Sequence, residues 1–93
     1  MKHAEDTERL FQQVLDETPT AIKQQVEWSY AIADSIDASL HRHGMTQKDF
    51  AKRVGTSEAA VSSWLGGGHN FTLSTLAKIS AVLGEPIISV GTR

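Results

Sequence analysis

Ninety-three residues, 40% of them hydrophobic, suffice for one small domain with a single core and leave no room for a large enzyme cleft. No cysteine is present, which excludes a disulfide scaffold, a thiolate metal site and a cysteine nucleophile. The formal charge of −2 hides a division along the chain: residues 1–39 carry a net −5, residues 40–70 a net +2, and residues 71–93 a net +1. The positive middle comes from Arg42, Lys48, Lys52 and Arg53 against Asp49 and Glu58, so the basic charge sits in one segment of an acidic chain.

The start, MKHAEDTERL, lacks the basic and apolar regions of a leader peptide. No stretch approaches the roughly 18 apolar residues of a membrane helix. A cytoplasmic protein without membrane contact is the expectation. From about Ala4 to Asp16 the grouping Leu10, Phe11, Val14 and Leu15 predicts an amphipathic helix with an acidic opposite face. Thr18 and Pro19 read as the cap and first residue of a second helix, which marks residues 1–18 as a separate N-terminal segment and 19–93 as the main domain. That second helix carries Ile22, Val26, Ser29, Ala33, Ile36 and Leu40 at spacings of three and four and ends at Gly44. His41, Arg42 and His43 complement its negative end.

Two short helices follow. Thr46 caps the first, in which Phe50, Ala51 and Val54 form a buried face. Gly55 supplies a turn with positive φ, and Ser57 caps the second, which buries Val61, Trp64 and Leu65 and leaves Glu58, Ala59, Ser62 and Ser63 outside. Residues 47–65 thus meet the requirements of a helix-turn-helix. A short second helix with small polar residues on its outer face suits a DNA major groove. The alternative is two consecutive core helices of a small bundle. Beyond Gly66-Gly67-Gly68, Thr72 caps a further helix with Leu73, Leu76, Ala77, Ser80 and Leu83 inward, stopped by Gly84 and Pro86. The β-branched tail Ile87-Ile88-Ser89-Val90 reads as a short strand that pairs with a second subunit or another edge; a coil packed on the core is the other reading.

Through Met45-Thr46-Gln47, Phe50-Ala51, Val54-Gly55-Thr56-Ser57, Val61-Ser62, Trp64-Leu65-Gly66 and Leu76 to Gly84, the sequence resembles the phage-repressor (Cro-like, XRE) helix-turn-helix family over about Ala33 to Gly84. The resemblance implies an all-α, lambda-repressor-like domain, here of five to six helices with a short C-terminal β-strand. It implies base contacts from Glu58, Ala59, Ser62 and Ser63, and backbone contacts from Thr46, Gln47, Lys48, Ser57, Gly67, His69 and Asn70. Glu58 departs from the glutamine common there: a carboxylate accepts from cytosine N4 but is repelled by phosphate. The glycine-rich loop also lacks lysine and arginine. Few phosphate contacts per subunit imply a homodimer on a palindromic double-stranded operator.

The long helix with Trp28 and Ala31-Ile32-Ala33-Asp34, the segment His69-Asn70-Phe71-Thr72-Leu73 and the ending Gly84-Glu85-Pro86-Ile87-Ile88-Ser89-Val90 are similar to HigA-type bacterial antitoxins. That likeness implies a repressor of its own operon that neutralises a small basic, RelE-like RNase toxin. A free-standing phage-type repressor and a protein-interaction module with little DNA binding are the alternatives. His41 and His43 lie two apart and so point away from each other on a helix, which removes them as paired metal ligands. The glycine triplet has no following Lys-Ser for a nucleotide phosphate. No enzyme activity, cofactor or metal is expected.

Overall fold

The computed structural model describes residues 2–91, with side chains described from residue 19 onward. Four helices follow in order: α1 (Lys2–His43), α2 (Gln47–Val54), α3 (Glu58–Leu65) and α4 (Leu73–Leu83). Among the described residues the regular structure is all helical, and the expected five to six helices become four. Pro19 lies inside α1 rather than at the start of a second helix. An interior proline removes one backbone hydrogen bond at an intrinsic cost of about 3 kcal/mol, yet its φ is already helical. The same Thr-Pro pair therefore serves a first turn and a tolerated interior position alike. The grouping Leu10, Phe11, Val14 and Leu15 lies outside the described side chains.

The expected strand over residues 87–90 is also corrected: no strand occurs among the described residues. Gly84, in the left-handed conformation (φ 71°), caps α4 and turns the chain back. The Ile87 N–H then donates to Ser80 Oγ at 3.0 Å instead of to a neighbouring strand, and Ile87 is buried against the core. The tail is coil, packed on the core through Ile87 and Ile88 and exposed at Ser89 and Val90.

Ile36 from α1, Phe50 from α2, Val61 from α3 and Ile79 from α4 are fully buried and define the core, with Leu40, Ala51, Trp64, Leu76, Leu83 and Ile87 around them. Phe50 meets Trp64 edge to face, with ring centroids 6.3 Å apart. In α4 the buried stripe is Leu76, Ile79 and Leu83, whereas Leu73 and Ala77 are exposed. Both choices satisfy a 3.6-residue period, and they differ by a rotation of the helix face.

Among the residues whose side chains are described, only the C-terminal part of α1 enters this core. Residues 19–28 are all exposed, including Ile22, Val26 and Trp28, while Ser29, Ala33, Ile36 and Leu40 are buried. The apolar spacing continues unchanged beyond the point where the domain stops. The radius of gyration of 17.5 Å exceeds the roughly 12 Å of a compact chain of this length. A 42-residue helix, roughly 63 Å long by its rise, accounts for the longest dimension of 59 Å. Its last turn is fastened to the end of α4. The Arg42 guanidinium donates to the Glu85 carboxylate, and His43 Nε2 lies 3.3 Å from the Leu83 carbonyl oxygen. Ser39 Oγ is fully buried without a hydrogen bond of good geometry, yet it lies near enough to Glu85 to stabilise its charge. The Ser39 hydroxyl above all, then Arg42 and His43, hold the Glu85 carboxyl below its ordinary 4.5, while desolvation pushes the other way. No helix among the described residues is long and apolar enough to cross a membrane.

Candidate nucleic-acid interface

The turn between α2 and α3 is set by three local devices. Thr46 is extended (φ −81°, ψ 162°) and its hydroxyl accepts from the Asp49 N–H at 3.1 Å, which starts α2. Gly55 adopts φ 85°, and both its N–H and that of Thr56 donate to the Ala51 carbonyl at 2.9 Å. A residue with a Cβ disfavours that left-handed conformation. Ser57 then repeats the capping geometry: its Oγ accepts from the Ala60 N–H at 3.0 Å and starts α3.

Burial then fixes which face of α3 is available. Val61 and Trp64 are buried and Leu65 is partly so. Glu58, Ala59, Ser62 and Ser63 are all exposed, as are Thr46, Gln47, Lys48 and Ser57 around the two helix starts. A two-turn helix thus presents one continuous surface of small side chains, flanked by helix N-termini whose first N–H groups point outward.

This arrangement is a helix-turn-helix, and a family model described as Helix-turn-helix matches residues 40–89. The chain belongs to that helix-turn-helix family. The match runs from the last turn of α1 through the coil after α4, so it covers the whole motif and most of its supporting core, leaving out Ile36 of α1. It identifies the domain as that of a DNA-binding transcriptional regulator. No curated protein and no solved structure gives a significant match to the chain.

The electrostatics of this helix-turn-helix domain are more modest than the charge tally of residues 40–70 implies. Arg42 is held by Glu85, at the foot of α1. Among the described residues Lys48, Lys52 and Arg53 enter no ion pair. Lys52 and Arg53 occupy the last turn of α2, and Glu58 the first turn of α3. Each of these three charges complements its helix dipole, so each has a structural role independent of a ligand.

After α3 the loop is built on Gly67 (φ 85°) and Gly68 (φ 73°). Asn70 is exposed and His69 partly so. The His69 ring stands edge-on to Phe71 at 4.7 Å and 6.2 Å from Trp64, while Phe71 and Trp64 are 6.0 Å apart. The aromatic cluster anchors the far end of the loop to the core. Its near end is met by Tyr30 of α1, a residue that helical spacing alone does not single out. On the other flank of α1, a groove of about 520 Å³ is lined by Trp28, Ile32, Phe71, Ile87, Ile88 and Val90 among others. Trp28, at 64% exposed, belongs to this surface and not to the core.

Proposed function

We propose that this chain is a sequence-specific transcriptional repressor that inserts α3 into the major groove as a homodimer, and that it is the antitoxin of a toxin-antitoxin pair. The observation that carries the repressor reading is the capped, rigidly seated α3 with its uniformly exposed outer face. In the complex Glu58, Ala59, Ser62 and Ser63 face base edges: Ala59 suits a thymine methyl, the serines donate or accept, and Glu58 accepts from cytosine N4. Thr46, Gln47, Lys48 and Ser57 hold the phosphates next to the two helix starts. Gly67, His69 and Asn70 meet the backbone of the opposite strand. With so little positive charge per subunit, useful affinity requires two subunits on a palindrome with half-sites about 34–36 Å apart or a multiple of this.

The antitoxin reading is supported by the projecting, acidic part of α1, where Ile22, Val26 and Trp28 are exposed beside Glu27. A small basic protein such as a RelE-like RNase complements such a helix in both charge and apolar surface. Residues 1–18 extend this partner-binding segment, and residues 19–93 form the DNA-binding domain, acting in the cytoplasm on the operon that encodes the pair. Fluorescence anisotropy with the DNA upstream of its own coding sequence, at two salt concentrations, tests the first part. Palindrome-dependent binding that weakens with salt is expected; none at low salt refutes repression and leaves a protein-interaction module. Co-purification of a small basic protein encoded next door tests the second part, and the lack of such a neighbour leaves a free-standing repressor.

A further inference from the structure

The loop after α3 is the glycine-rich part of the surface assigned above to DNA. Two of its three glycines sit at positive φ, and around Gly68 there is open space. Glycine-rich backbone is costly to order, so N–H donors on such a loop contribute to binding only if something holds them in place beforehand. At Gly67 something does. A Cβ built on Gly67 would overlap Cε1 and Cδ1 of Tyr30 and come within 2.9 Å of its Cζ. The Tyr30 ring therefore lies directly on the bare Cα of Gly67, in the space any side chain there would need. Tyr30 is 52% exposed and so contributes little to the core. The Gly67 N–H also donates to the Trp64 carbonyl at 3.3 Å, which ties the same residue back to the end of α3.

We infer that Tyr30 is a positioning residue for DNA binding: its ring clamps Gly67 against α1 and so fixes the direction in which the following Gly68, His69 and Asn70 present their donors to phosphate. The inference rests on the reading of this loop as a backbone-contacting element. Glycine at 67 then has two reasons, its positive φ and the ring's close approach, whereas Gly68 has only the first. The ring is the working part and the hydroxyl is not required.

The test uses the full chain with Tyr30→Phe and Tyr30→Ala, the upstream DNA, and a series of salt concentrations. Releasing about one residue's worth of backbone order lowers affinity by about five- to thirtyfold per bound subunit. Tyr30→Ala is expected to lose that much, with its salt dependence unchanged because the loop carries no lysine or arginine, while its thermal midpoint stays within a few degrees of wild type. Tyr30→Phe is expected to bind within about twofold of wild type, on the packing argument alone. Amide hydrogen exchange over Gly67 to Asn70, measured without DNA, is expected to speed up in Tyr30→Ala only. Unchanged exchange in that variant overturns the inference whether or not the protein binds DNA. Tyr30→Phe weakening as far as Tyr30→Ala also overturns it, because the hydroxyl would then be a direct contact. Failure of the wild type itself to bind DNA, with exchange altered as expected, refutes the repressor reading and leaves the clamp standing.

Discussion

Ser57 separates the stability of the motif from its use. Its hydroxyl is the acceptor that starts α3, a helix of only eight residues with little internal capacity to persist uncapped. Ser57→Ala removes that acceptor and costs about 1 kcal/mol, within a range of about 0.5–2 for such caps. Ser57→Asp keeps an acceptor and adds negative charge at the positive end of the helix, worth about 0.3–1 kcal/mol in favour of folding. Stability is therefore ordered Asp at or above Ser, with Ala below. DNA binding is ordered differently. A carboxylate about 4 Å from a phosphate is opposed by about 1 kcal/mol at the permittivity of water and about 4 kcal/mol at an effective value near 20. The loss of affinity is then about fivefold to several hundredfold per subunit. Urea denaturation and fluorescence anisotropy on the same three proteins decide the matter. If Ser57→Asp binds DNA as tightly as wild type, the N-terminus of α3 does not face the phosphates and the proposed docking is wrong.

Phe50→Ala, at the centre of the core, should cost about 3–5 kcal/mol in urea denaturation, whereas Leu73→Ala, at a side chain 73% exposed, should change stability by no more than about 0.5 kcal/mol. Because the Glu85 carboxyl titrates below its ordinary 4.5, its contribution is present above that pH and is lost as pH falls through the lowered value. The thermal midpoint of Glu85→Gln should accordingly vary less than that of wild type across the acid range, and parallel profiles would contradict the role given to Ser39 and Arg42. Glu58→Gln should tighten DNA binding by about fivefold or more through relief of phosphate repulsion, at a small loss of stability from the α3 dipole; unchanged affinity would place Glu58 off the DNA.

The helix-turn-helix was legible because each of its requirements is local. Thr46, Ser57 and Thr72 are read as caps from residue type alone, and each hydroxyl accepts from the N–H three residues on. Gly55 and Gly84 stand where the chain must take φ of 85° and 71°. Features settled by competition between neighbours were not legible. Thr18-Pro19 is a helix start by local preference, but α1 runs through it. Ile79 rather than Leu73 is central in α4, because the rest of the core, and not the helix's own period, selects which of two overlapping stripes turns inward. The β-branched tail does not become a strand, since Ser80 supplies the acceptor for Ile87 that a neighbouring strand would have supplied. The Tyr30 contact with Gly67 joins residues far apart in sequence and has no periodic signature at all.

An acidic protein is an unpromising ligand for a polyanion, and the layout of the chain explains how the two are reconciled. Glu5, Asp6, Glu8, Asp16, Glu17 and Glu27 are spread along roughly 33 Å of α1 by its helical rise, most of it beyond the point where the helix enters the core. At physiological ionic strength charges are screened over about 8 Å, so most of the negative charge acts on whatever meets that helix and little of it reaches the motif. At the motif itself the outer face of α3 bears one charge, Glu58, and apart from Lys48 and His69 the donors around it are hydroxyls, amides and backbone N–H groups. Such groups recognise by geometry, and geometry is what the caps at Thr46 and Ser57, the turn at Gly55 and the packing of Tyr30 on Gly67 provide. In the docking proposed above, rigidity does what surface cations do in more basic DNA-binding domains, and the proposed homodimer doubles the contacts.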